Sequence, residues 1–370
     1  MQKRFKFYDI RTLFKDYPNA QYYMAIGERS NGKTYSSLDY VLSKFAEAGE
    51  EFGYIRRFGE DIRPKNLGSL FDSHIENHRI EHYFGDKYNA LQYKSSKFSL
   101  VKLDDEADEA EDPVIIGRAF DLNSMEHYKS ISFPRITTII FDEFLSRQGY
   151  LPNEFMLFQN ALSTIIRHRD NVKIIMLGNT VNKYCPYFSE MGLKHVYEQK
   201  QGTVDVYHYG SSSLEVVVEY CESTSKSGGK SSDVYFAFDN PQLQMITTGA
   251  WEIGIYPHLP VKFKPRDIVQ QFFIEFDRAV LHGEIISVDD MKPFVFLHPK
   301  TTDIKRPDDI VYTTEPTAEK FRKQGLTTQT DKLSMFIKKA YSEGRIFYAT
   351  NETGEVFRNF LMWNRNITKI

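Results

Sequence analysis

The stretch YYMAIGERSNGKTYSSLDYVLSKFAEA constrains the fold more than any other part of the chain. Gly27 to Thr34 reads GERSNGKT and fits G-x-x-x-x-G-K-[ST] without mismatch. The apolar run Tyr22–Ile26 comes before it, and Leu38, Val41, Leu42, Phe45 and Ala46 follow at helical spacing. Strand, glycine-bearing loop and helix in that order read as a P-loop. Gly27 and Gly32 allow backbone angles that turn successive N–H groups inward around a triphosphate, and the helix N-terminus adds partial positive charge. The phosphate cradle is therefore expected at Gly27, Glu28, Arg29, Ser30, Asn31, Gly32, Lys33 and Thr34. Lys33 can reach the β- and γ-phosphates, and the Thr34 hydroxyl can ligate Mg²⁺.

Further strand-like runs follow in FGYIRRF, TTIIFDE and NVKIIMLGN, with the helix-like NEFMLFQNALSTIIRHR between the last two. Continuous apolar runs suit parallel strands covered on both faces. In IIFDEF an apolar strand ends in an acidic pair. Asp142 is placed to hold the Mg²⁺ shell, and Glu143 to polarise an attacking water. Such a glutamate favours ATP hydrolysis over phosphoryl transfer to a small acceptor. Asn179 ends the next strand, where an amide can sense the γ-phosphate or simply follow Gly178 in a turn. Arg167 and Arg169 close a helix, either complementing its dipole or serving as an arginine finger to a neighbouring subunit.

With 370 residues, 41% hydrophobic and 26% charged, the chain has material for two domains. A formal charge of −3 excludes a global basic field, so any nucleic-acid contact must be local. Cys185 and Cys221 are the two cysteines, too few for a disulfide framework, which suits a reducing compartment. No apolar run approaches a membrane span, and no membrane partner is expected. Asp104–Asp112 holds seven carboxylates in nine residues and reads as a solvated hairpin loop. The Ser-, Lys- and Gly-rich CESTSKSGGKSSD marks a composition break. The expected division is a P-loop ATPase domain over 1–207, a linker over 208–235 and a smaller α+β domain over 236–370. In that last part GAWEIGIY reads as a strand, and QQFFIEFDRAVLHGEIISVDD as a hairpin turning at His282–Gly283.

In order and spacing, GERSNGKTYSS, EEFGYIRRF, TTIIFDEFLSRQGYLPNE and IIRHRDNVKIIMLGNTVNKYCPYF resemble the DNA-packaging (encapsidation) ATPases of small short-tailed bacteriophages, the phi twenty-nine-like group. The likeness covers about residues 20–190. It implies a P-loop NTPase of the additional-strand, catalytic-glutamate type, with a parallel sheet. The family's P-loop arginine falls on Arg29, its nucleotide-binding lysine on Lys33, its acidic pair on Asp142 and Glu143, and its strand-end asparagine on Asn179. The trans-acting arginine falls on Arg167, and a second trans-acting basic residue on Lys129 in the loosely aligned EHYKSISFP. The acidic insertion departs from the family pattern.

The resemblance further implies a homo-oligomeric ring of five subunits using ATP and Mg²⁺ to translocate double-stranded DNA into a procapsid. Partners would be the phage portal or prohead and, in some relatives, a structural RNA. Location would be the host cytoplasm, with transient docking at the procapsid vertex. Candidates to grip DNA phosphates are Arg56, Arg57, Arg63 and Lys65, each equally readable as solvated charge or pocket lining. The C-terminal domain is expected to be RNase H-like. Glu275, Asp277 and Asp289 or Asp290 are the carboxylates available to a two-metal nuclease, and a vestigial, non-cleaving domain is the favoured expectation. Lys292, Lys300, Lys338 and Lys339 could dock it. Competing readings are a terminase-like ATPase with an active nuclease, and another nucleic-acid translocase or helicase. Phe7 and Tyr8 are candidates to stack on adenine.

Overall fold

The computed structural model describes residues 7–103, 111–128, 130–147, 149–223, 250–289, 291–304, 306–315, 317–326 and 331–367. Lys129, Asp290 and most of the acidic insertion lie outside them, as does 224–249, which includes most of the composition break. The chain divides into two compact units, Met1–Arg147 with Asn153–Glu252, and Gln148–Pro152 with Ile253–Ile370. No helix among the described residues is long and apolar enough to cross a membrane.

The first unit is built on β1 (Tyr22–Gly27), β2 (Glu51–Arg56), β3 (Ala90–Lys94), β4 (Lys97–Lys102), β5 (Glu111–Asp121), β6 (Ile136–Asp142), β7 (Lys173–Asn179), β8 (Thr203–His208) and β9 (Glu215–Tyr220). They form one sheet in the order β3-β4-β5-β2-β6-β7-β1-β9-β8. The six strands from β5 to β9 run parallel, while β3, β4 and β8 extend the edges antiparallel. Every residue of β1 is buried, and β6 and β7 are buried at all but one and two positions. Covered on both faces, such strands need unbroken apolar runs rather than alternation. That is why these three were legible from sequence.

Strand β7 lies between the P-loop strand β1 and the acidic-pair strand β6. Register sets Gly27 beside Asn179, and Leu177 beside Asp142, so three chemically distinct strand ends share one edge. The carboxyl edge of a parallel sheet is where ligands bind in such folds. The helix Lys33–Ala48 starts there, from Gly32 in a left-handed conformation (φ 96°). The helix Glu154–Ile166 runs back to the opposite edge.

Two expectations for this unit need correction. The span from 208 was assigned to a linker, yet Glu215–Tyr220 is a full sheet strand paired with β1. The apolar run EVVVEY is buried at four of its six positions, as a strand inside a sheet requires. The acidic stretch is also shorter as a loop than its composition suggests, since β5 already begins at Glu111.

In the second unit, β10 (Ile268–Phe276), β11 (Ala279–Ile286), β12 (Phe294–Pro299), β13 (Val311–Thr313), β14 (Arg322–Gln324) and β15 (Ile346–Tyr348) order as β14-β13-β10-β11-β12-β15. The first three form an antiparallel meander, β13 is parallel to β10, and β15 is parallel to β12. Helices Lys332–Ser342 and Asn351–Ile367 complete the unit. Asp331 caps the first of them by accepting from the Leu333 amide.

Here too the sequence reading misplaced elements. The hairpin turns at Asp277–Arg278, with Asp277 at φ 54°, and His282 and Gly283 lie inside β11. Glycine was read as a turn, but Gly283 lets the Phe272 ring lie across the neighbouring strand; a Cβ there would meet that ring at 2.2 Å. Asp277 therefore does not share a strand face with Glu275. The expected strand at GAWEIGIY is absent, because side chains take its amides: Gly254 donates to Glu355 (2.7 Å) and Tyr256 to Asn351 (3.0 Å). The nuclease carboxylates do not all converge: Glu275 and Asp277 line one cleft with Glu315 and Arg322, but Asp289 does not reach it. Glu275 is ion-paired to Arg322, Asp277 caps one end of the β10–β11 hairpin, and Asp289 follows its other end, roughly 25 Å away at strand rise.

Candidate functional site: a phosphate cradle at the sheet edge

At the carboxyl edge of the first sheet a cleft of about 450 Å³ is lined by Arg29–Tyr35, Asp142, Glu143 and Leu177–Asn179. Loop and helix geometry make its floor. Ser30 and Gly32 both have positive φ (60° and 96°), which turns consecutive amides the same way. A Cβ on Gly27 would come within 3.0 Å of Cys221 on the loop after β9, so glycine keeps the strand end close to its neighbour. Cys221 and Cys185 are free and buried, and burial pushes the Cys221 thiol up to about 12.

Lys33 is 5% exposed, and burial lowers its pKa against the pull of Cys221, Asp142 and Glu28. Its amine donates to the Glu28 carbonyl (2.7 Å) and Asn31 Oδ1 (3.1 Å), and reaches Asn179 Oδ1 at 3.5 Å. A buried ammonium aimed at a polar cleft is a strong anion attractor. The Glu28 carboxylate is turned away, accepting from Ser223 (2.9 Å). Arg29 is exposed at the rim.

Thr34 Oγ1 lies 3.2 and 3.5 Å from the two Asp142 oxygens. One hydroxyl and one carboxylate beside a phosphate cradle are the hard oxygen donors that Mg²⁺ takes, so the residues fit that ion. Asp142 is fixed from behind by Tyr54, whose buried hydroxyl donates at 2.7 Å. Burial, reinforced by Asp142, raises the Tyr54 pKa far above the phenol range, keeping it a donor. Sequence reasoning missed Tyr54. Its signal was position alone, on the strand beside the acidic pair.

Glu143 leaves the strand at φ 58° with its side chain 57% exposed, and Arg56 Nη2 donates to it at 2.6 Å. Arg56 therefore meets the cleft through Glu143, which lines it. Arg57 is corrected. It is 6% exposed and forks onto Glu154 at 2.7 and 2.9 Å, with further bonds to the Phe144 carbonyl (2.8 Å) and the Glu143 carbonyl (3.2 Å). Tyr187 completes the cluster by donating to Glu154 (2.9 Å). A guanidinium so enclosed cannot meet DNA; it pins the turn that presents Glu143. Arg57→Ala would leave Glu154, 1% exposed, without its cation. The expected loss is about 3–5 kcal/mol of stability, read by denaturant unfolding. An apolar pair, Arg57→Met with Glu154→Leu, should recover most of it.

The remaining predicted residues lie elsewhere. Arg63, paired with Glu60 at 3.1 Å, and Lys65 are solvent-exposed beyond β2. Arg167 caps the far end of its helix, bonded to the Ile131 carbonyl (2.9 Å), at the edge opposite the cleft. The length of β6 separates it from the cradle by roughly 20 Å, so it cannot serve its own site. Arg169 is committed to the Ile136, Ile165, Ile166 and Pro134 carbonyls. Phe7 lies over Gly32, and Tyr8 donates to Glu219 (3.0 Å). Both line a second cleft of about 590 Å³ that continues from Gly32 and Tyr35 to Asp39 and Asn77.

Fold and cleft together define the class: a mixed α/β sheet with its cradle and acidic pair fits a P-loop NTPase. Residues 3–209 match the podovirus DNA encapsidation protein (Gp16) family model, and the chain belongs to that family. It is similar to the DNA packaging protein of Bacillus phage B103, with 32% identity over 171 residues, covering 45% of this chain and 47% of that protein. Similarity to the DNA packaging protein of Bacillus phage phi29 is 29% over 171 residues, 44% of each. The match thus spans about half the length of these curated relatives. Among solved structures, the Phi-28 gp11 DNA packaging motor aligns with TM-score 0.55 and 18% identity over 98% of this chain and 99% of that one. The bacteriophage Phi-29 viral genome packaging motor assembly aligns with TM-score 0.55 and 20% identity over 96% and 99%. At such identities the likeness is one of fold.

Proposed function

We propose that this chain is the ATPase of a phage DNA-packaging motor, hydrolysing ATP in a homo-oligomeric ring to drive double-stranded DNA into a procapsid. The observation that carries this reading is the meeting of Lys33, Thr34, Asp142, Glu143 and Asn179 at one sheet edge, in a chain of the encapsidation family. ATP hydrolysis that rises several-fold when proheads and genomic DNA are both present is the expected result. Activity indifferent to both would point to a general helicase or translocase.

In this mechanism the loop amides and Lys33 bind the triphosphate. Mg²⁺, held by Thr34 and Asp142, would neutralise charge on the β- and γ-phosphate oxygens. Glu143 orients the attacking water and takes its proton, while Asn179 senses the γ-phosphate beside Lys33. Arg29 would add positive charge at the P-loop, and Lys129 would add it in trans from a neighbouring subunit. The cleft under Phe7 suits adenine, with Tyr35 as a second aromatic wall. Arg56 acts as a positioning residue for Glu143. Arg56→Ala should lower kcat by about 10²-fold at unchanged nucleotide affinity, as misplacement of a reacting group does. Equal loss of affinity would instead mean that Arg56 binds nucleotide.

Arg63 and Lys65 remain candidates for DNA phosphates. A ring of five, docking at the portal through Lys292, Lys300, Lys338 or Lys339, a structural RNA, and residence in the host cytoplasm with transient docking at the procapsid vertex complete the proposal. An RNase H-like reading of the second unit is supported by its meander followed by strands parallel to β10. The ion pair that occupies Glu275 and the remoteness of Asp289 favour a non-cleaving domain, and no metal-dependent nicking of plasmid DNA is expected.

A further inference from the structure

The meander β10-β11-β12 carries different chemistry on its two faces. Phe272, Gly283 and Leu297 align on one face, which lies under the helices, with Phe276 against Phe360 at 5.9 Å. The opposite face aligns Phe273, His282 and His298 across three strands, and Glu284 lies two residues along β11 on the same side. Each of His282, Glu284 and His298 offers one ligand atom, and these atoms all lie within 4.8 Å of one another.

Their hydrogen bonding leaves the ligand atoms available. His298 Nδ1 is 3.3 Å from the Pro299 carbonyl, which directs its Nε2 toward Glu284 Oε2 at 4.0 Å. His282 Nε2 is buried with no hydrogen-bond partner among the described residues. Glu284 is 8% exposed, and His298 is its ion-pairing neighbour. A buried carboxylate with no lysine or arginine paired to it among the described residues, beside an unpartnered imidazole nitrogen, is costly on both counts. Phe273 stacks on His282 (4.7 Å, 22°) and Phe296 lies 5.6 Å from His298, walling the cluster with apolar rings. Burial, with His298 and Lys300 adding to it, pushes the His282 pKa down to about 4.

We propose that His282, Glu284 and His298 form a mononuclear site for a divalent transition metal of the zinc class, clamping β11 to β12. Two imidazoles and one carboxylate suit zinc, cobalt or nickel; Mg²⁺ asks for oxygen donors throughout. Metal–ligand bonds of about 2.0–2.2 Å bring donors of a tetrahedral ion to roughly 3.4 Å apart, so donor pairs that lie within 4.8 Å need to close by up to about 1.4 Å. A fourth position stays open to water or an outside donor. The site uses none of the residues of the phosphate cleft.

The test uses the full chain, stripped with chelator and free of nucleotide. Zn²⁺ is titrated against a chromogenic chelator, and Co²⁺ by its visible absorption. Expected are one tight equivalent per chain, tetrahedral Co²⁺ bands, and a thermal midpoint raised by Zn²⁺. His282→Ala, His298→Ala and the isosteric Glu284→Gln should each weaken binding by more than about tenfold while retaining ATP binding. Wild-type chain that takes up no more Zn²⁺ or Co²⁺ than the His282→Ala/His298→Ala double variant would overturn the proposal. So would displacement of Zn²⁺ by millimolar Mg²⁺. Far-UV circular dichroism of metal-free Glu284→Gln checks that lost binding is not lost fold.

Discussion

Glu143→Gln is expected to bind ATP with near-normal affinity and to hydrolyse it about 10²–10⁴ times more slowly, the range a general base contributes. The amide keeps the size of the carboxylate and can still accept from Arg56 (2.6 Å in the native pair), but it cannot take a proton from water. Nothing in the cradle changes, since Lys33, Thr34 and Asp142 make their contacts without Glu143. Equilibrium binding of a fluorescent ATP analogue and single-turnover hydrolysis separate the two effects. Unimpaired hydrolysis would move the base elsewhere and refute this assignment.

Arg167→Ala is the second large effect, a loss of roughly 10³-fold or more in turnover if Arg167 serves as an arginine finger. Its position makes the prediction sharp. The residue sits at the sheet edge opposite the cleft, at the end of Glu154–Ile166, with its guanidinium anchored to the Ile131 carbonyl. It can therefore act only on the nucleotide of an adjacent protomer. In rings mixing Arg167→Ala with Glu143→Gln chains, activity should return only at interfaces pairing an intact Glu143 with an intact Arg167. A variant hydrolysing at the native rate when isolated as a monomer would remove the trans role.

The cradle was fully legible in the sequence because its signals are local. Glycines at fixed spacing, the lysine and threonine after them and the flanking strand and helix obey rules written within a few residues. The acidic pair and Asn179 were legible because each ends an unbroken apolar run, and a parallel sheet buried on both faces requires such runs. Arg56 and Arg57 were not separable by sequence: Arg56 ends β2 and reaches Glu143, whereas Arg57 lies just past the strand, where the chain bends, and reaches the buried Glu154. The turn at Asp277 was misread because a glycine inside β11 mimics a turn until its partner Phe272 is known.

The sequence by itself determined the triphosphate-binding loop, the acidic pair and the family, all properties of short contiguous segments. Tertiary structure alone decided that β9 completes the first sheet, that Tyr54, Arg56 and Arg57 support the acidic pair, and that two histidines and a glutamate meet on the second sheet. These facts depend on register between strands distant along the chain. Local patterns state which residues prefer a strand; only cross-strand pairing states which side chains then share a face and a neighbour.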